Sequence, residues 1–264
     1  MTITTQDQFA AAQLNPLMRA PISRASATTV ANRMHSTWLL GTLPAAGATP
    51  TGTPGAIPDK TTAGALANFP AITAGLVGYA DCGSLTNTTV SNIVMILDRL
   101  WAVAGLNGTL TTAQTCGSTT PTRGDVVAYS NVQGFIEVYT ALGATPATAT
   151  VSYTNGTGTA GRTATVSIPA SAPAGALFPI PLQAGDQSIR SIQTVTLSVS
   201  TGTAGSFGVT LARPISEFGV GLVGAKNDIT NIGQFVENSC LWAVVVPVST
   251  ASGVIQGSMK LLQG

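Results

Sequence analysis

The sequence predicts an all-β protein: an antiparallel β-sandwich of jelly-roll type, with an extended N-terminal arm that carries a short helix. Three observations predict it. Apolar and polar residues alternate with a period of two through the middle of the chain. The breaks between those runs are built from glycine, proline and asparagine. Charge is scarce, at 8% of 264 residues against about 25% in an ordinary globular chain. A period of two sets one apolar face on a core and one polar face outward, and branched Thr and Val suit a pleated surface.

Residues 1–35 read as the arm. Thr5-Gln6-Asp7-Gln8 fits a capping box ahead of Phe9–Leu14, so a short helix is expected there. It should stop before Pro16, because the residue ahead of a proline avoids the α region. Leu17–Met34 has no clear period and carries Arg19, Arg24 and Arg33. With Phe9 of the helix, these arginines are the candidate partner-binding residues. They suit an acidic neighbouring subunit or nucleic acid, while plain solvated charge is the preferred reading of any one of them.

Residues 36–264 read as the β domain. Ser36–Leu40 is expected to be a short strand. Leu43–Ala65, rich in Pro, Gly, Ala and Thr, reads as a long loop, either disordered or laid along another chain. Phe69–Asp81 should hold a strand, best at Leu76–Tyr79. Val90–Val103 matches both a helical stripe and a buried strand; its turn-rich flanks favour the strand. Asp98 and Arg99 are neighbours there, and neighbours on a strand face opposite ways, so each is expected to make its own structural contact. Leu106–Asp125 reads as a second long loop, and Val126–Tyr129 and Gly134–Leu142 as strands. In the latter, Phe135, Glu137 and Tyr139 oppose Ile136, Val138 and Thr140.

The stretch Ala147–Ser216 shows the alternation best. Ala149, Val151 and Tyr153 share a face, as do Ala164, Val166 and Ile168, then Val195, Leu197 and Val199, then Phe207, Val209 and Leu211. Asn155–Gly158 is suited to a hairpin with positive φ. Prolines at 169, 173, 179 and 181 make Ala176–Gln183 an edge strand or a crossing loop. Pro214–Asn231 reads as a connector, Leu241–Val248 as an apolar strand, and Val254–Leu262 as the last strand.

Net charge is +1, so no global field draws in nucleic acid or an anionic membrane. Mean hydropathy is +0.35, yet no apolar run nears the roughly 18 residues of a membrane helix. A soluble chain this poor in charge tends to associate, which predicts a surface covered by other subunits. Cys82, Cys116 and Cys240 lack C-x-x-C spacing and read as buried apolar residues rather than disulfides or zinc ligands. Met1–Ile3 shows no secretion signal, so the sequons at Asn87, Asn107 and Asn155 carry no expected glycan. Gly219–Gly224 matches G-x-G-x-x-G, but no convincing helix follows to hold a pyrophosphate. The single histidine, His35, lacks a G-x-S-x-G partner motif. The expectation is therefore a non-enzyme with no catalytic, cofactor or metal site.

Several segments resemble small structural proteins of tailed bacteriophage particles. They are Met1–Phe9, Leu97-Asp98-Arg99-Leu100-Trp101, Tyr153-Thr154-Asn155, Gly161-Arg162-Thr163, Pro181–Asp186 and Ala212-Arg213-Pro214. The resemblance implies a virion component, assembled in the host cytoplasm and placed on or beside the head shell. Capsid cement or decoration proteins of this kind pair a jelly-roll-like sandwich with a gripping arm. The implied partners are the major capsid protein or other virion proteins and further copies of the chain, a trimer being favoured. The alternative is a carbohydrate-binding or host-attachment module, which would need an exposed aromatic platform. Trp38, Trp101 and Trp242 all sit among apolar residues and are expected in the core.

Overall fold

A computed structural model of the chain describes residues 3–88, 92–123, 129–220 and 232–264, without the side chains of 82–84, 218 and 220. The described residues form antiparallel sheets and one short helix, α1 (Gln6–Leu14). The expected Thr5–Gln8 capping box is present, and α1 closes at Asn15, ahead of Pro16.

The central layer is a six-stranded sheet. Its strands are β2 (His35–Ser36), β5 (Asn92–Leu106), β7 (Gln133–Thr140), β10 (Leu177–Pro179), β12 (Ser206–Val220) and β14 (Leu241–Pro247), in the order β10-β7-β12-β5-β14-β2. A four-stranded sheet has the order β6-β11-β8-β9, from β6 (Gln114–Thr115), β8 (Ala147–Asn155), β9 (Arg162–Ile168) and β11 (Ile189–Leu197). A five-stranded sheet runs β13-β4-β15-β1-β3, from β1 (Met18–Arg24), β3 (Gly41–Leu43), β4 (Gly78–Asn87), β13 (Ile232–Phe235) and β15 (Ile255–Gln263).

The expected sandwich is thus formed twice over on one shared layer. Trp101, Val103, Ile136, Val138, Phe207 and Val209 of the central sheet pack against Val151, Tyr153, Val166 and Val195 of the four-stranded sheet. Val94 and Ile96, from the other half of β5, pack with Leu241 and Val245 against Ala20, Leu85, Met259 and Leu261 of the five-stranded sheet. β5 and β12 each have 15 residues, against a usual strand of about five or six, because each serves both cores. Covering on two faces also explains why β5 reads as a near-continuous apolar run.

The alternation predicted for 148–154 and 163–168 is present: Val151 and Val166 are buried, and Thr148, Thr163 and Thr165 are exposed; in 134–142 it is absent, because β7 is buried on both faces from Gly134 to Tyr139 and Thr140 is exposed. The hairpin turn closes with Gly158 at φ +93° donating to the Asn155 carbonyl at 3.0 Å. All three tryptophans lie in the core.

Several expectations differ from the structure: the strand read at Ser36–Leu40 is only β2, His35–Ser36, the strand sought in Phe69–Asp81 is β4, which begins at Gly78 and runs on to Asn87, and the 106–125 loop holds the short β6. The strand read as Thr194–Ser200 is β11, beginning at Ile189 and ending at Leu197, so Val199 lies past it and is 41% exposed. The connector read from Pro214 starts as strand, since β12 continues to Val220. Pro214 is tolerated because β7 pairs only with Ser206–Ala212, and a register shift against β5 falls just after the proline. The 43–65 loop lies along its own chain: Ala56 bridges Ala102, and the Trp38 and Trp101 indoles donate to the Ala48 and Pro54 carbonyls. The arm is extended but does not leave the domain, because β1 pairs with β15 from Met18 to Arg24. Pro21 fits there since β3 reaches only Ser23 and Arg24, leaving that side of β1 without a partner strand at the proline. The strand read at 126–129 falls, but for Tyr129, outside the described residues, as does most of the Gly219–Gly224 motif.

Candidate functional site

The most densely organised polar residues surround Asp98 and Arg99, both fully buried on β5. As neighbours on a strand they serve separate partner sets. The Arg99 guanidinium meets Glu137 of β7 with Nη2 at 2.7 Å and Nη1 at 3.3 Å from the two carboxylate oxygens. Nη2 also donates to the Tyr139 hydroxyl at 2.9 Å, and Tyr139 and Thr210 both donate to the same Glu137 oxygen. The rings of Trp38 and Trp242 lie 4.4 and 4.7 Å from the guanidinium carbon, two cation–π contacts in a desolvated setting. Burial pushes the Glu137 carboxyl up, but Arg99 and the Thr210 and Ser36 hydroxyls more than reverse this and hold it below the ordinary carboxylate range.

Asp98 accepts from the Ser239 hydroxyl and the Cys240 amide, each at 2.8 Å. Arg123 and Arg213 stand 3.6 and 3.9 Å away. Burial raises the Asp98 pKa, against the pull of Arg123 and the two hydrogen bonds. Arg123 itself donates to the carbonyls of Pro58, Arg99 and Asn238, tying both long loops to β5.

A second polar knot centres on Asp186. Its carboxylate accepts from Tyr153 at 2.6 Å, Asn155 at 2.7 Å and Arg162 at 2.9 Å. The Arg162 bond and then those of Tyr153 and Asn155 bring its pKa down to about 2. Most of the segments that carry the phage resemblance therefore converge in space. Leu97–Trp101 meets Ala212–Pro214, and Tyr153–Asn155 meets Arg162 and Pro181–Asp186. Both meetings tie strands together. Neither was legible as a cluster, because the partners stand far apart in sequence.

A cleft of about 390 Å³ lies beside the first knot, lined by Ile57, Pro58, Asp59, Thr122, Arg123, Val236, Glu237 and Asn238. Glu237 is held by Lys60 and the Ile72 amide, and the Asp59 carboxylate accepts from the Thr61 amide and the Thr61 and Thr62 hydroxyls. These bonds, the Lys60 and Thr61 contacts foremost, lower both carboxyl pKa values. Among the described residues no three His, Cys, Asp or Glu side chains gather as metal ligands. No helix there is long and apolar enough to cross a membrane.

The four candidate partner-binding residues separate into two kinds. Arg19 and Arg33 are exposed, and Phe9 is half-buried against Tyr79 and Leu262. Arg24 is an internal anchor: its guanidinium donates to the carbonyls of Gly64, Pro44 and Ala45, and burial lowers its pKa to about 10. It shares a strand face with Ala20 and Ile22, and that parity was the available signal. His35 is likewise buried, with its ring nitrogens 3.0 Å from the Ser36 and Ala174 carbonyls. Cys116 and Cys240 are buried free thiols. The sequon residues Asn87 and Asn155 are buried too, their amides donating to Ser252 and Asp186.

No protein-family model matches the chain, and no curated protein does. Among solved structures it is similar to infectious bursal disease virus, Gt strain, at 10% identity over 94% of this chain and 81% of that one, with TM-score 0.23. The VP2 subviral particle of the same virus gives 10% identity, 95% and 82% coverage and TM-score 0.23. The Gx strain gives 9%, 94% and 81%, and TM-score 0.21. TM-scores of this size fall short of a shared fold.

Proposed function

We propose that this chain is a structural component of a virus particle, of the cement or decoration kind that binds a head shell and stabilises it by covering neighbouring subunits. The observation that carries this reading is the scarcity of charge on the exterior. Charged residues are few to begin with, and Arg24, Asp81, Asp98, Arg99, Arg123 and Glu137 are turned inward. The outer face of the four-stranded sheet presents Thr148, Thr150, Thr163, Thr165 and Ser167, while Leu14, Val30, Leu43 and Val248 stand exposed elsewhere. An exterior of this kind favours association over solitary life. Repetition on a lattice multiplies weak contacts into avidity.

The resemblance of Met1–Phe9 and the two polar knots to phage particle proteins supports the same reading. The partners are the major capsid protein or another virion protein, together with further copies of the chain. Phe9, Arg19 and Arg33 are the residues proposed to dock; Arg24 is committed internally. Burial of all three tryptophans leaves the glycan-binding alternative without a tryptophan platform.

The test is sedimentation with purified shells. The protein should pellet with them at a ratio set by the lattice, and an Arg19→Glu, Arg33→Glu double variant should pellet less while keeping its circular dichroism. A wild-type protein that remains in the supernatant at every shell concentration overturns the proposal.

A further inference from the structure

Among the described residues the three sheets have six outer edges, and five of them end in short strands. β2 and β6 have two residues each, β3 and β10 three, and β13 four. Short edge strands are one of the ways proteins avoid edge-to-edge pairing. The sixth edge is β9, with seven residues. Its register with β8 runs unbroken from Arg162–Tyr153 to Ile168–Ala147, whereas the pairings of β5 with β12, β4 with β15 and β8 with β11 all contain shifts. β9 has no proline, no lysine and no bulge, so of the other usual protections it keeps only one charge, Arg162 at its first position. Among the described residues, no backbone hydrogen bond reaches its outer side.

We propose that β9 is a pairing edge for a second copy of this chain, joined antiparallel across a two-fold axis at Thr165. The sequence of the strand is complementary to itself in that register. Thr165 faces Thr165, Ala164 faces Val166, Thr163 faces Ser167 and Arg162 faces Ile168. Threonine and serine pairs across strands are favourable, and like charges directly opposite are not. The strand's one charge, Arg162, falls against an isoleucine and is already neutralised by Asp186 at 2.9 Å. The apolar residues Ala164, Val166 and Ile168 stay on the core face in both copies, so two four-stranded sheets continue into one. The contact is the same patch on both chains and closes on itself. It is independent of the shell: a protein that never meets a particle still pairs this way.

The test is the mass in solution. The wild-type protein should sediment at twice 26.5 kDa, shifting toward one chain on dilution. Thr165→Lys and Thr165→Asp, at an exposed position off the core, should each sediment as single chains, and a one-to-one mixture should return to the doubled mass. Thr165→Val should leave pairing intact. Hydrogen exchange supplies a measurement without substitution: amides within Arg162–Ile168 should exchange at least ~10-fold faster at concentrations where the pair dissociates. A single-chain wild type at high concentration, a trimer with this edge unprotected, or unchanged association in both charge variants overturns the proposal.

Discussion

Arg99 and Glu137 form a two-point ion pair with no exposure to solvent, and Arg99 lies against the indoles of Trp38 and Trp242. A buried pair of this kind is strongly destabilising to break, because the surviving charge has nowhere to go. Glu137→Gln should therefore lower stability by about 3–5 kcal/mol in urea denaturation. Replacing both members, Arg99→Met with Glu137→Leu, should cost markedly less. A double variant as unstable as the single one would show that the pair holds the sheet by more than its charges.

Several groups make stability depend on acidity, and His35 and Asp186 do so in separate windows. Burial holds His35 below its usual 6.5. The unfolded chain takes up that proton first, so this contribution is full above 6.5 and declines as pH falls below it. Asp186, at about 2 rather than 3.8, contributes fully above 3.8 and loses its share as pH falls toward 2. Denaturation midpoints should drop in two steps on acidification. His35→Gln should flatten the upper step and Asp186→Asn the lower; a profile unchanged in both variants contradicts the assignment.

Gly175 sits at φ +88°, and a Cβ there would lie 2.2 Å from His35 Cε1. Its amide donates to the Val138 carbonyl at 2.7 Å, so the backbone has little room to move away. Gly175→Ala should cost about 1–3 kcal/mol, read as a lowered thermal midpoint.

Burial pushes the thiols of Cys116 and Cys240 up to about 12. The thiolate is the reacting species, so both should resist alkylation in the native protein at pH 8 and react once it is unfolded. Site-resolved mass spectrometry of labelled peptides checks this, and rapid native labelling at either position contradicts the packing described.

Much of the fold was legible because period two survives wherever one face is solvated, as in Thr163–Ile168. It is lost at Glu137 and Tyr139, where the face opposite Ile136 and Val138 is a polar knot under a second layer. What failed to show was which side of a strand lacks a partner. Pro214 reads as a breaker until β7 is seen to stop at Ala212. Arg24 reads as a surface cation until the carbonyls of Pro44, Ala45 and Gly64 are found around it. The separate duties of Asp98 and Arg99 followed from adjacency alone. Their partners did not, since Glu137 lies 38 residues from Arg99 and Ser239 lies 141 from Asp98.

The inward turn of so many ions leaves dissolved salt with little to screen. The proposed β9 pairing, made by Thr, Ser and backbone edges, should therefore keep its strength in brine and in dilute buffer alike, whereas docking through the exposed Arg19 and Arg33 should weaken as salt rises.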